Sequence, residues 1–79
     1  MSYYQQHNFM MEIRRKDNNE SLLPLEEVSY EFGKYEHDHM RLYYAKNRYI
    51  AGIEQRIKYE PNLRKKLEGV EWYADGVEV

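Results

Sequence analysis

Residues 25–60 read LEEVSYEFGKYEHDHMRLYYAKNRYIAGIEQRIKYE, and their apolar side chains recur with the spacing of one helix face. A seven-residue repeat counted from Leu25 predicts an amphipathic helix over the whole segment, with a broad apolar stripe. Gly33 lies off this stripe, and glycine inside a helix costs about 1 kcal/mol relative to alanine. One long helix and a helix that kinks or breaks near Gly33 therefore both fit. The stripe consists of Leu25, Val28, Phe32, Tyr35, Leu42, Tyr49 and Ile53, widened on one flank by Ile50 and Ile57.

Two prolines bound this pattern. Pro24 stands near the first helical position, where the N–H that proline lacks would have no partner in any case. Pro61 ends the pattern, because the residue before a proline is disfavoured in the helical region. After it, residues 62–68 predict a short second helix that ends at Gly69.

The two ends of the chain lack helical periodicity. Residues 8–15 and 70–79 predict short strands, and Asp75–Gly76 is a strong hairpin signal. Residues 1–7 are polar and aromatic without any period, which is typical of a flexible arm. We therefore expect a helix-dominated α+β fold in a single small domain that spans residues 1–79.

Composition bounds the function classes. The chain has 79 residues, no cysteine and a net charge of −2. Without cysteine it can form neither disulfides nor thiolate sites, and a reducing compartment, the cytoplasm, is the expected location. No apolar run approaches the ~18–20 residues of a membrane span, so we expect no membrane partner. A small core supplies little stability, and pairing with a second copy would add buried surface, so a homodimer is one possibility.

Charge is unevenly distributed along the chain. Residues 39–68 contain eight basic and three acidic side chains, whereas residues 1–38 contain four basic and eight acidic ones. A fold that presents the 39–68 region on one face would show a positive patch, which favours an acidic or mixed partner surface. Neutralisation between segments of the same chain explains the pattern equally well.

The side of a straight 25–60 helix opposite the apolar stripe is rich in tyrosine and arginine. These residue types are enriched in protein interface hot spots, because each combines a large contact area with directional hydrogen bonds. Basic residues between aromatic ones also suit single-stranded nucleic acid, and a solvated face is the bland alternative. The candidate partner-binding residues are Tyr30, Lys34, His37, Arg41, Tyr44, Arg48 and Gln55.

Other candidate sites are weaker. Arg64, Lys65 and Lys66 form a secondary basic patch in the second predicted helix. The spacing Glu36-x-x-His39 occurs in di-iron helical bundles, but those need two such motifs and this chain has one, so we expect no metal. No nucleophile elbow, phosphate-binding loop or zinc-protease string is present, so neither catalytic residues nor a cofactor are indicated.

These observations predict a non-catalytic protein-interaction module: an adaptor, anti-factor or inhibitor of a larger host protein. Small, tyrosine-rich chains without cysteine are common among phage and mobile-element products that disable host machinery, so such an origin fits the composition. Two alternatives stay open: a nucleic-acid-binding protein that uses the basic 39–68 region, and a structural subunit of a larger assembly.

Overall fold

A computed structural model describes residues 3–34 and 38–79. In these ranges the chain forms a three-stranded antiparallel sheet and two α-helices that pack on one side of it. The strand order is β2-β1-β3, so the first strand is the central one. The elements are β1 (Tyr4–Arg15), β2 (Ser21–Gly33), a 3-10 turn (Asp38–Met40), α1 (Arg41–Tyr59), α2 (Pro61–Leu67) and β3 (Trp72–Glu78).

Strand β1 forms the centre of the core. Its alternate residues Phe9, Met11 and Ile13 are each 0% exposed, which is the period of a strand with one face against a core. Neighbouring strands contribute side chains to the same face, because residues directly opposite each other in an antiparallel pair point the same way. The ring of Phe9 thus lies 6.2 Å from that of Tyr30 and 6.0 Å from that of Phe32 on β2.

The prediction of one long helix over residues 25–60 is wrong: residues 25–33 belong to β2, and α1 begins only at Arg41. Leu25, Val28 and Phe32 have helical spacing, but Val28, Tyr30 and Phe32 also alternate as a strand requires. Pairing with β1 decides between the two periods, because it buries Phe32 and supplies a hydrogen-bond ladder that a local helix could not offer β1.

The fold class is therefore α+β, as expected, but it is not helix-dominated. The strands contain 12, 13 and 7 residues and the two α-helices 19 and 7. Helix α2 corresponds to the short helix predicted at 62–68. Residues 4–7, assigned to an arm, are part of β1, and Asp75–Gly76 lies inside β3 instead of forming a hairpin turn.

The helices cover the sheet through an apolar stripe on each. Ala45, Tyr49 and Ile53 are spaced four residues apart on α1 and are all buried. Leu63 and Leu67, also four apart, are the buried residues of α2. Both helices and all three strands therefore share one hydrophobic core, which is what a chain of this length can build.

Strands β1 and β3 approach each other closely at Gly76, which pairs with Met11. A Cβ atom at this position would lie 2.6 Å from the carbonyl oxygen of Met10 and would also overlap the Met11 side chain. Glycine is thus required at position 76 by space. The opposite holds for Gly52 in the middle of α1, where a Cβ would meet no heavy atom within 4 Å.

These two glycines predict opposite effects of the same substitution. Gly76→Ala should lower the free energy of unfolding by about 1–3 kcal/mol, because the backbone of β1 must move to admit the methyl group. Gly52→Ala should raise it by up to about 1 kcal/mol, since alanine is the better helix former and nothing obstructs it. Urea denaturation followed by circular dichroism measures both. Equal effects of the two substitutions would contradict the close approach of β3 to β1.

Candidate partner-binding groove

An open groove lies between β2 and α1 on the helix side of the sheet. Helix α1 packs more closely on β3 and β1 than on β2, which leaves part of β2 uncovered. Val28 and Tyr30 of β2 face this side, because they pair with Phe9 and His7 of β1. The β2–α1 groove has a volume of about 170 Å³ and is lined by Glu26, Val28, Tyr30, Tyr49, Gly52, Ile53 and Arg56.

The floor of the groove is apolar and rigidly held. Tyr49 and Ile53 belong to the core and are only 4% and 1% exposed. Gly52 lies beside them on α1 and adds no side chain, so the space above the helix backbone stays open. The result is a shallow depression with packed walls on both sides, suited to hold a small apolar group by contact.

One end of the groove is charged. The Tyr49 hydroxyl donates a hydrogen bond to Glu26 at 3.3 Å, and a guanidinium nitrogen of Arg56 lies 3.8 Å from the same carboxylate. Arg56 also pairs with Glu60 one helical turn further on, at 2.7 Å. Burial, together with the nearby Glu26 charge and its hydrogen bond, raises the pKa of Tyr49 to about 12.

This arrangement predicts how Tyr49 titrates. Because its folded-state pKa lies above the ordinary value of 10, Tyr49 contributes stability below pH 10 that is lost as the pH rises towards 12. Glu26→Gln should bring the pKa of Tyr49 down from about 12, because the variant lacks the negative charge beside the phenol. Ultraviolet absorbance of tyrosinate, with Tyr49→Phe to assign the signal, measures the shift.

Glu27→Gln is the matched control for Glu26→Gln. Glu27 pairs with Met10, so its side chain lies on the open face of the sheet, away from Tyr49. The control should leave the titration of Tyr49 unchanged. If both variants moved the pKa equally, the contact between Glu26 and Tyr49 would not be its cause.

Arg48 is not part of the groove lining but lies one helical turn before Gly52, where it joins α1 to β2. Its guanidinium carbon lies 4.4 Å from the centre of the Phe32 ring, and a guanidinium nitrogen donates a hydrogen bond to the backbone carbonyl of Glu31. The cation–π contact and the hydrogen bond together fix a long side chain that would otherwise be mobile. Arg48 thereby holds α1 and the far end of β2 at a fixed spacing.

The candidate binding residues do not form the single helical stripe that the sequence suggested. Tyr30 belongs to β2 and Lys34 directly follows it, whereas the others with described positions belong to α1. His37 lies outside the described residues. The stripe is broken because residues 25–33 are a strand, whose side chains alternate between two faces instead of following a helical turn. The structure nevertheless brings Arg48 close to Tyr30, because Arg48 reaches from α1 to the Phe32 ring, which lies two residues from Tyr30 on the same face of β2.

The four candidates on α1 do share one flank of that helix. Arg41, Tyr44, Arg48 and Gln55 are separated by three, four and seven residues, a helical spacing. Arg41 is engaged by Glu78 of β3 at 2.7 Å, which makes it a structural contact of the fold. Tyr44 is 43% exposed, and its ring meets that of Tyr43 edge to face at 5.5 Å. Tyr44 and Gln55 are thus the candidates most open to a partner.

The secondary basic patch lies on α2. Arg64, Lys65 and Lys66 are exposed and form no salt bridge with any residue that the structure describes. Lys58 and Tyr59 precede α2 at the end of α1, and Tyr59 is 80% exposed. An exposed aromatic ring and four cations therefore occur within nine residues of the chain, at the end of α1 and on α2.

Sequence reasoning missed most of the groove. Glu26, Val28 and Arg56 were not candidates, because helical periodicity assigned Val28 to the apolar stripe and gave no reason to single out Glu26 or Arg56. One signal was present: Gly52 stands inside a strong helical pattern, where glycine is costly. A costly glycine with no steric need marks a place where the helix surface is kept open.

The chain matches no protein-family model, no curated protein and no solved structure. Within residues 3–34 and 38–79, no helix is long and apolar enough to cross a membrane. The same part of the chain contains no group of three or more side chains able to hold a metal ion. Of the Glu36–His39 pair, Glu36 lies outside the described residues.

Proposed function

We propose that this protein is a non-catalytic protein-interaction module that binds a larger protein at the β2–α1 groove, acting as an adaptor, anti-factor or inhibitor. The observation that carries the proposal is Gly52, a glycine in the middle of α1 at the floor of an apolar groove. Glycine there costs about 1 kcal/mol relative to alanine. This is a large part of the free energy of folding of a 79-residue protein, because so small a core supplies only about 3–5 kcal/mol. Because no neighbour requires this glycine, the open space itself is the feature to explain.

The size of the groove supports a protein partner. Small-molecule sites usually enclose about 300–1,000 Å³, so that most of the ligand surface is buried. The β2–α1 groove is smaller, at about 170 Å³, and open along one side. That volume suits one or two side chains of a macromolecule whose remaining surface rests on the rim. We place this activity in the cytoplasm, because a chain without cysteine is suited to a reducing compartment.

The surroundings of the groove have the chemistry of a protein interface. Tyr44, Arg48 and Gln55 follow the flank of α1 beside it, and the ring of Tyr43 contacts that of Tyr44 edge to face. Tyrosine and arginine contribute most to interface energetics when a partner excludes water from them. Arg48 is already fixed by Phe32 and Glu31, so binding would not have to immobilise it.

Filling the groove should abolish binding without unfolding the protein. Gly52→Leu places an isobutyl group in the open space, and leucine is a better helix former than glycine. We expect this variant to be at least as stable as the wild type, yet to lose the partner captured from the source organism's lysate. Affinity for the purified partner should fall about a hundredfold, because one steric overlap in an interface costs ~3 kcal/mol.

The matched control is Glu54→Leu, which places the same side chain two residues later on an exposed part of α1. Two residues turn a helix by about 200°, so position 54 lies on the side of α1 away from the groove. This variant should retain the partner with affinity close to that of the wild type. If Gly52→Leu and Glu54→Leu recovered the same partner equally well, the β2–α1 groove would not be the binding site.

A second candidate function is single-stranded nucleic-acid binding where α1 meets α2. The supporting observation is the exposed ring of Tyr59, next to Lys58 in the chain and shortly before Arg64, Lys65 and Lys66. None of these four cations forms a salt bridge with a described residue. A base could stack on the ring while the cations meet phosphates.

Salt dependence tests this second candidate. For single strands the slope of log affinity against log salt is about −0.7 per phosphate contact, so four cations predict a slope near −3. Fluorescence anisotropy with a labelled oligonucleotide measures it. Tyr59→Ala should weaken binding at every salt concentration, whereas Tyr43→Ala should not. Absence of any retention at low salt would exclude nucleic acid as the ligand of this surface.

A further inference from the structure

Strand β2 is an edge of the sheet, and the direction of its free backbone groups follows from the ladder. The Lys34 N–H donates to the Tyr3 carbonyl at 2.7 Å. In this part of β2, even-numbered residues therefore direct their backbone N–H and C=O groups towards β1. Successive residues of a strand direct their N–H and C=O groups to opposite edges. Glu27, Ser29 and Glu31 therefore direct theirs away from the sheet.

This open edge is short and has definite limits. At one end, Pro24 lies in a bulge, where the register shifts between Met11 and Ile13 of β1. At the other end, Arg48 occupies the carbonyl of Glu31. Between these two devices, residues 27–31 keep a regular strand edge. Natural proteins usually protect exposed strand edges against pairing. Here the bulge at Pro24 and the contact of Arg48 protect the two ends of the edge and leave one five-residue window between them.

The two sides of this window have different chemistry. Towards the helices lie Val28 and Tyr30, which line the apolar β2–α1 groove. Towards the open face of the sheet lie Glu27 and Glu31, which form no salt bridge with any described residue. A strand laid against the window would alternate its side chains between an apolar groove and a pair of carboxylates.

We infer that the edge of β2 takes up an extended segment of the partner as a fourth strand, and that this segment alternates small apolar residues with lysine or arginine. The apolar side chains enter the β2–α1 groove above Gly52, and the basic side chains pair with Glu27 and Glu31. Backbone hydrogen bonds to residues 27 and 29 and to the N–H of Glu31, whose carbonyl already accepts from Arg48, supply affinity, and the two side-chain rows supply specificity. This inference rests on the proposed function and specifies the partner of the same site.

Charge argues against a second copy of this chain as the occupant. Two β2 edges that pair antiparallel about Ser29 would set Glu27 opposite Glu31 twice. Like charges directly opposite in a sheet are destabilising. On the other sheet edge, β3, Asp75 is the one carboxylate on the open face. Glu78, on the helix side of β3, is already paired with Arg41 and His7. The acidic window on β2 is thus the better fit to a basic strand.

Backbone methylation of a peptide probe tests the inference directly. The probe is a labelled peptide of about seven residues, a typical strand length, that alternates lysine with valine or alanine. Two versions are compared: one N-methylated on the lysine amides and one on the apolar amides. In an added strand only every second N–H faces β2, so one version should bind at least about tenfold more weakly and the other within about threefold of the parent. Equal binding of the two versions, or none by the parent, would overturn the added strand.

Variants of Ser29 give the complementary test on the protein side. Ser29→Pro removes the outward N–H at the centre of the window, and proline is tolerated on a strand edge. Ser29→Ala keeps that N–H and removes only the hydroxyl, which donates to Asn8. Peptide affinity should fall about tenfold in the first variant and stay within about threefold in the second. Circular dichroism verifies that both variants fold. If Ser29→Pro does not fold, the comparison of the two methylated peptides decides the matter.

Two further outcomes separate this inference from the proposed function. Partner capture that is lost in Gly52→Leu, together with failure of every extended peptide, would leave the groove as a binding site but reject strand addition. If Gly52→Leu bound the peptide as tightly as the wild type, the β2–α1 groove would not receive the peptide's apolar side chains, and only the backbone edge of β2 would remain as its binding site. Sedimentation that showed a dimer broken by Ser29→Pro would identify a second copy as the occupant and overturn the basic segment.

Discussion

The rest of the structure depends on the burial of three alternate side chains of β1, Phe9, Met11 and Ile13, beneath two helices. A strand that is buried on one face needs hydrogen-bond partners on both edges, and β2 and β3 provide them. Neither outer strand would be stable alone, because isolated two-stranded structures are marginal in water. The central strand therefore organises segments that lie at opposite ends of the chain.

The groove is a consequence of how α1 fits onto this sheet. Helix α1 packs on β3 and β1, and the shared core includes two small residues, Ala45 on the helix and Ala74 on β3. A helix of about 10 Å diameter that lies over two strands cannot fully cover the third. The uncovered strip beside β2 thus combines an apolar floor, a charged end at Glu26 and Arg56, and a free backbone edge. These three features lie close together because they share one geometric cause.

The candidate site could be only partly derived from residue patterns. The helical spacing of Tyr44, Arg48 and Gln55 holds within α1, so local periodicity was a sound guide there. Tyr30 and Arg48 do come to the same region, but through the packing of a helix on a strand instead of through one continuous stripe. The contribution of Glu26 could not be foreseen, because its contacts to Tyr49 and Arg56 join residues more than twenty positions apart.

Residue patterns alone predict the α+β class, the apolar stripe of α1, the short helix after Pro61 and the alternation that makes residues 9–13 a strand. These features depend on interactions within a few residues, so a local pattern is enough to specify them. The conformation of residues 21–33, in contrast, depends on contacts between distant parts of the chain. Their apolar positions satisfy the helical and the extended period alike, and the choice depends on pairing with β1 and burial of Phe32 against Phe9. Long-range pairing thus overrode local helical periodicity, and with it decided where the exposed edge and the groove lie.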